Sequence, residues 1–293
     1  METALPFRHV AIIGVGLIGG SFALALRKHF PQVKVTAFDR EAVISSAIAR
    51  DAVHEGTTTL AEAVSRADLV YIALPIGPTL QALPAIASLV PEDTLVTDAS
   101  SAKAVICQRA VHDFQTGARF LGGHPIAGKE VSGIENADSE LFAGAPYALI
   151  GSEEDPDPRV LRFAELLREM GAKLVWCDAA THDWALSVVS HLPQLAALAL
   201  ARVVSDETDE TGLPLTLAGR GLQDTLRLAG SPYAVWRDVF IANQDNVRRA
   251  LDRLAQAIDH LRTSLSGREL EDEFRAANEL FRSLRKEQQK TED

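Results

Sequence analysis

Residues 120–130 read FLGGHPIAGKE and set an imidazole, His124, between two glycines and a proline at what reads as an abrupt exit from a strand. Histidine has an unperturbed pKa near ~6.5, which suits it to accept a proton from a hydroxyl group. A second polar strand end, DASSAK at 98–103, offers a serine hydroxyl, Ser101, that could orient the same oxygen. A third cluster is GVGLIG at 14–19, placed between a first strand and a first helix. There Gly14 permits a tight turn, Gly16 lets backbone approach a pyrophosphate, and Gly19 lets the helix pack on the strand. The N–H groups at the helix start, Leu17 and Ile18 included, then face the phosphates.

The second strand ends in Asp39, where a carboxylate accepts hydrogen bonds from the adenosine ribose of NAD and repels the extra phosphate of NADP. Arg40 beside it can serve that phosphate, but with Asp39 present NAD is favoured. Pro75, after the strand at 68–74, is expected at the same cofactor. A dinucleotide together with a poised base describes dehydrogenation of an alcohol carbon, chemistry that asks for no metal.

These groups need elements to position them. Strand-like apolar runs at 9–14, 34–39, 68–74, 94–100, 118–123, 146–151 and 172–177 alternate with helical stretches at 17–29, 41–51, 59–66, 79–90, 102–114 and 157–170. Such alternation predicts a doubly wound α/β domain of Rossmann type with a mostly parallel sheet, over residues 1–178. From 179 to 293 strand signals stop. A long apolar helix over 179–205 contains Pro193. A second long helix starts at Ser231 as cap with Pro232 in its first turn, and carries Trp236, Phe240, Val247, Leu251, Leu254, Ile258 and Leu261 on one face. A third follows Ser266-Gly267, with Leu270, Phe274, Ala277, Leu280 and Leu284. This all-helical half predicts a substrate domain that also pairs with a second copy, giving a homodimer.

At 293 residues, 47% hydrophobic and 24% charged, the chain has material for two cores. A net charge of −11 without a basic run argues against nucleic acid. Cys107 and Cys177 lack CxxC spacing, which argues against a zinc site or a disulfide framework and fits a cytoplasmic protein. The first strand follows the N-terminus almost at once, so no signal peptide is expected. No apolar run is read as reaching the ~20 residues of a membrane span.

Of the competing histidines, His9, His29, His54, His112 and His260 fall at strand edges or helix faces and read as surface residues. His191, in SVVSHLPQ, reads on its own as a core or interface histidine. Only His124 has the strand-end position and the glycine neighbours that admit a ligand.

GVGLIGGS, TDASSAK, GHPIAGKEVSG, SHLPQ and GLQDTLRLAGSPYAVWRD stand in the order and at about the spacing of the prephenate and arogenate dehydrogenase family, which the chain resembles over nearly its whole length. The resemblance implies a Rossmann domain, a dimeric helical domain, and a site in the cleft between them. It implies His124 as the residue accepting a hydrogen bond from the substrate's ring hydroxyl, with Ser101 on the same hydroxyl. It further implies Arg227 on the side-chain carboxylate, Glu130 near it as an ionic gate, Trp236 lining the pocket and His191 at the cleft. A planar guanidinium suits the carboxylate because it engages both oxygens at once.

Two positions depart from the family pattern. Gln194 stands where many members have a second histidine, and Gln223 where a basic residue often precedes the aspartate. Both remove positive charge near the substrate side chain, a keto-acid in prephenate and an amino acid in arogenate. Retention of Arg227 favours prephenate. No fused chorismate mutase or regulatory domain is expected. Hydroxyacid and imine-reducing dehydrogenases, which use a lysine of the second domain, are disfavoured because 179–285 contains none. A non-catalytic NAD-binding sensor would have lost Ser101, His124 or Arg227, and all three are present.

Overall fold

Apolar runs flanked by helices make strands buried on both faces, and β1, β4 and β5 are buried almost throughout. The computed structural model describes residues 7–129, 131–208 and 211–289. The chain runs β1 (His9–Ile13), α1 (Leu17–His29), β2 (Lys34–Phe38), α2 (Glu41–Ala49), β3 (Glu55–Thr57), α3 (Leu60–Val64), β4 (Leu69–Ile72), α4 (Ile76–Leu89), β5 (Leu95–Asp98), α5 (Ala104–Asp113), β6 (Arg119–Pro125), β7 (Pro146–Ile150), α6 (Pro158–Glu169) and β8 (Lys173–Cys177). Among the described residues the strands form one sheet in the order β3-β2-β1-β4-β5-β6-β7-β8. Every pair is parallel except β6 and β7. After β3 the chain returns to the other side of β1, so a switch point opens between the carboxyl ends of β1 and β4.

Each face of the sheet has its own core. On one, Phe22 of α1 stacks on Tyr71 of β4 with ring centroids 3.9 Å apart, and Phe142 and Phe163 close around it. Truncating Phe22 to alanine would cost about 3–5 kcal/mol. On the other, Leu83 and Ile86 of α4 and Ile106 of α5 cover Ile13, Ile72 and Val96.

Two features of the sheet differ from the sequence reading. The edge strand β3, three residues of sequence Glu-Gly-Thr, has no apolar run to announce it. More important for the site, His124 does not mark an exit from its strand. β6 continues through Pro125, pairing His124 with Ala148 of β7, while its pairing with β5 stops at Leu121. His124 therefore lies where β6 outruns its parallel neighbour.

The second half is helical: α7 (Ala179–Leu186), a π-turn (Ser187–His191), α8 (Leu192–Asp206), α9 (Leu213–Thr216), α10 (Arg220–Leu226), α11 (Tyr233–Ala242), α12 (Gln244–Thr263) and α13 (Glu269–Gln289). The π-turn falls just before Pro193, which lacks the N–H for a regular bond and whose ring crowds the preceding turn. The helix widens there instead of breaking. The resulting continuous run, Ala179–Asp206, is long and apolar enough by length and composition to cross a membrane, contrary to the sequence expectation. One side of it buries His182, Asp183, Ser187, His191 and Gln194 against the rest of the chain, while Trp184, Val188, Val189 and Val203 on the remainder are exposed in the single chain. The expected long helix after Pro232 is also divided. Asn243, with φ −116° and ψ 26°, separates α11 from α12. Pro232, not Ser231, occupies the cap position of α11, and no side chain caps that end. Phe274, Leu280 and Leu284 of α13 and Val189 of the π-turn are exposed in the single chain.

Candidate active site

The glycine loop sits at the switch point. Gly14 has φ +92°, a conformation that L side chains rarely adopt. A Cβ on Gly19 would collide with the carbonyl of Gly14, so the start of α1 can lie this close to β1 only without one. Gly16 faces open space. Leu17 and Ile18 open α1, whose first turn holds no acidic residue. The arrangement fits the pyrophosphate of a dinucleotide, which the unpaired N–H groups of a helix start would hold. Asp39, at the end of β2, accepts hydrogen bonds from the N–H of Val15 (2.9 Å) and of Arg40 (2.7 Å), tying the ribose end of the crevice to its phosphate loop. The Arg40 side chain extends into solvent. Pro75 caps α4 across the crevice, where the N–H of Gly77 donates to Asp238 of α11 at 3.2 Å.

Beyond the end of β5, side chains take over its hydrogen bonding. Asp98 Oδ1 accepts the N–H of Gly123 at 3.2 Å, and Lys103 Nζ donates to the Gly123 carbonyl at 2.6 Å. Lys103, with 0% exposure, also donates to Asp98 Oδ2 at 2.5 Å. The strand segment that carries His124 is thus held by a buried ion pair where a neighbouring strand would otherwise hold it.

His124 is 7% exposed, and its Nδ1 lies 2.9 Å from Nε2 of His182. His182 in turn places Nδ1 2.8 Å from Asp183 Oδ1. Asp183 also receives the backbone N–H of Lys103 (2.7 Å) and of Ala104 (2.9 Å) at the start of α5. Burial raises the pKa of Asp183, but these hydrogen bonds outweigh it and hold the carboxyl below its ordinary range. Burial pushes His124 well below the ordinary imidazole value, helped by the facing His182, Lys103 and His191. His191 is lowered to about 4, again chiefly by burial.

The helical half closes this side of the site. Asn243 Nδ2 donates to the Asp183 carbonyl at 2.6 Å and lies 3.3 Å from His191 Nδ1. The His191 ring meets Trp236 edge-on with centroids 6.0 Å apart, and Trp236 stacks on Phe240. A cavity of about 1260 Å³ adjoins the back of this wall at Asp183 and Asn243, between α7 and α12.

A base held beside a dinucleotide crevice is common to many dehydrogenases, and relatives separate them. Residues 22–176 match the nucleotide-binding domain of prephenate dehydrogenase, and residues 178–285 match its dimerization domain. The chain belongs to the prephenate dehydrogenase family. A curated prephenate dehydrogenase of Lactococcus lactis is 33% identical over 264 residues, 89% of this chain and 72% of that protein. The crystal structure of Aquifex aeolicus prephenate dehydrogenase with hydroxyphenyl propionate and NAD+ superposes with a TM-score of 0.86 at 29% identity, covering 97% of this chain and 99% of that one. Arogenate dehydrogenase of Synechocystis gives 0.77 at 27% identity, over 96% and 99%.

For a prephenate dehydrogenase family member, the residues singled out in the sequence are placed unevenly. The cradle residues Gly14, Gly16, Leu17, Ile18 and Gly19 gather at one loop with Asp39 beside them. His124, His191 and Trp236 converge on the wall described above. Ser101 is half-buried between β5 and α5. Gln194 is 2% exposed and its Oε1 has no hydrogen-bond partner among the described residues. Arg227 and Gln223 are exposed on the α10 segment, which packs against α8. Glu130 lies outside the described residues.

Sequence reasoning passed over His182, Asp183 and Asn243. One signal was available: THD at 181–183 places two ionisable side chains in the first turns of an otherwise apolar helix.

Proposed function

We propose that the chain catalyses the NAD-dependent oxidative decarboxylation of prephenate to 4-hydroxyphenylpyruvate in tyrosine biosynthesis, acting as a homodimer in the cytoplasm. His124 carries this reading. It is a buried imidazole with Nδ1 committed to His182, which leaves Nε2 for a bound hydroxyl on the same edge of the sheet as a loop shaped for a dinucleotide. Family membership and the likeness to an enzyme solved with NAD+ support it. The matched dimerization domain and the exposed apolar residues of α13 support the homodimer, and two free cysteines agree with a reducing compartment. In this reading residues 1–178 hold the cofactor and residues 179–293 complete the substrate pocket.

Bound NAD supplies the acceptor for the hydride on the ring carbon that bears the hydroxyl. His124 Nε2 takes the hydroxyl proton as that carbon becomes a carbonyl, with Ser101 orienting the oxygen. Loss of the ring carboxylate as CO₂ returns an electron pair to the ring. The ring becomes aromatic, and the phenolate oxygen recovers the proton from His124. Arg227 holds the side-chain carboxylate, while Trp236 and His191 wall the pocket. Alignment of these groups is the main demand on the protein, because aromatisation drives the reaction.

A second reading takes arogenate as substrate, and Gln194 favours it. A buried carbonyl oxygen without a partner is costly, and an α-ammonium group would satisfy it. The deciding experiment follows NADH formation by absorbance with prephenate and arogenate at equal concentration, each with NAD+ and NADP+. Preference for prephenate with NAD+ is expected. NAD+ binding without turnover of either substrate would overturn the proposal.

A further inference from the structure

The geometry behind His124 lets its hydrogen bonds run in one direction, from His124 through His182 to Asp183. Asp183 is ionised and only accepts, so the Nδ1 of His182, 2.8 Å away, carries a proton. Where His182 carries that one proton, its Nε2 is bare and can only accept, and the Nδ1 of His124 at 2.9 Å is the donor. That leaves Nε2 of His124 unprotonated. Asp183 is itself fixed by two backbone N–H groups of the β5–α5 connection and, through its carbonyl, by Asn243. We propose that His182 and Asp183 are positioning residues that hold His124 in its proton-accepting tautomer and receive the positive charge formed when it acts as a base. This inference rests on the function proposed above.

The proton balance is simple. A substrate hydroxyl proton bonds to His124 Nε2 while the Nδ1 proton of His124 passes to His182 Nε2. His182 then bears the charge, against the carboxylate of Asp183. When the substrate oxygen becomes a phenolate, both protons move back and no net charge is left in the protein.

The surroundings explain why the charge would not rest on His124. Among the described residues, the titratable and charged groups that face it are Lys103, from the β5–α5 connection, and His182 and His191, from the α7–π-turn helix. Asp98 lies behind Lys103 and is already engaged by it at 2.5 Å. A cation on His124 would therefore have Lys103 as neighbour, with no carboxylate directly on the ring among the described residues. On His182 it has Asp183 in direct contact. His182 is 2% exposed, so water does not offer an alternative acceptor.

The test compares the full-length protein with His182→Leu and His182→Gln. Leucine can neither accept from His124 nor carry charge. Glutamine can accept with its carbonyl while donating to Asp183, but it cannot take a proton. NAD+ affinity and circular dichroism establish that each variant is folded. We expect kcat to fall about 10²-fold in His182→Leu and to recover to within about tenfold of wild type in His182→Gln. We also expect the acid limb of the kcat–pH profile to move to lower pH in His182→Gln, because the charge must then sit on His124 beside Lys103. Folded His182→Leu protein with kcat within about threefold of wild type would overturn the proposal, as would an unmoved acid limb. Should His182→Leu not fold, His182→Gln alone decides through that limb.

Nitrogen-15 NMR of the imidazoles supplies a readout that needs no substrate. In the wild type His124 is expected protonated at Nδ1 and bare at Nε2, with a mixture of tautomers in His182→Leu. Identical His124 spectra in the two proteins would refute the assignment. If the wild type leaves prephenate unchanged, the functional reading has failed, and these spectra still decide the positioning role.

Discussion

Asn243 joins the two ends of the substrate wall. From the break between α11 and α12 its amide nitrogen reaches the Asp183 carbonyl at 2.6 Å and His191 Nδ1 at 3.3 Å. Asp183 belongs to α7 and His191 to the far end of the π-turn. One side chain thus spans the stretch where the helix changes its winding. The break in the helix has a use: an asparagine inside a regular α11–α12 helix would not have this backbone freedom.

Asn243→Ala is expected to lower stability by about 1–3 kcal/mol, because a buried carbonyl and an imidazole nitrogen lose their donor. Asn243→Asp is expected to be worse, since a carboxylate would face the Asp183 carbonyl. Urea denaturation of the three proteins gives the order. Equal midpoints for the two variants would show that the amide donor is not what matters at this position.

His124→Asn is expected to bind NAD+ as the wild type does and to lose about 10²-fold or more in kcat. Asparagine fits the strand and can still donate to His182, but it is no base. Isothermal titration for NAD+ and steady-state rates for prephenate check the two halves. Unchanged turnover would remove His124 from the chemistry.

What the sequence made legible was chemistry carried by a local run of residues. The glycine loop, Asp39 and His124 each sit in a stretch whose neighbours explain it, and all fall where the sheet needs them. What was hidden depended on distant parts of the chain. Whether His124 ends a strand or continues it was decided by where β5 stops, 20-odd residues earlier in sequence, and by Asp98 and Lys103 taking over its bonds. The His124–His182 contact joins residues 58 apart in sequence, and no periodicity announces such a pair. The apolar pattern from Trp236 to Leu261 continued smoothly through Asn243, so the break could not be read from hydrophobic spacing. β3 was missed because edge pairing with β2 makes a strand of three residues that have no strand signal of their own.

Lys103→Met is expected to destabilise the protein by about 3–5 kcal/mol, since it strands Asp98 as a buried charge and frees the Gly123 carbonyl. Adding Asp98→Asn should recover part of that loss by removing the unpaired charge. Chemical denaturation of the single and double variants measures the recovery. A double variant as unstable as Lys103→Met would mean that the bonds to Gly123, and not the ion pair, dominate.

His191 should make folding sensitive to acid. Its folded pKa is lowered to about 4 by burial, against ~6.5 for a free imidazole. Between those values the unfolded chain binds a proton that the folded chain refuses, so stability rises with pH through that window. The contribution is fully present above about pH 6.5 and is lost as pH falls towards 4, where the penalty reaches roughly 3 kcal/mol at most. Below that, the folded protein takes up the proton too and the loss stops growing. His124, also held low by burial, acts in the same direction. Comparing urea midpoints of wild type and His191→Gln at pH 7 and pH 4.5 isolates the His191 share. The variant is expected to lose less stability on acidification than the wild type, and parallel losses would place His191 in contact with water in solution.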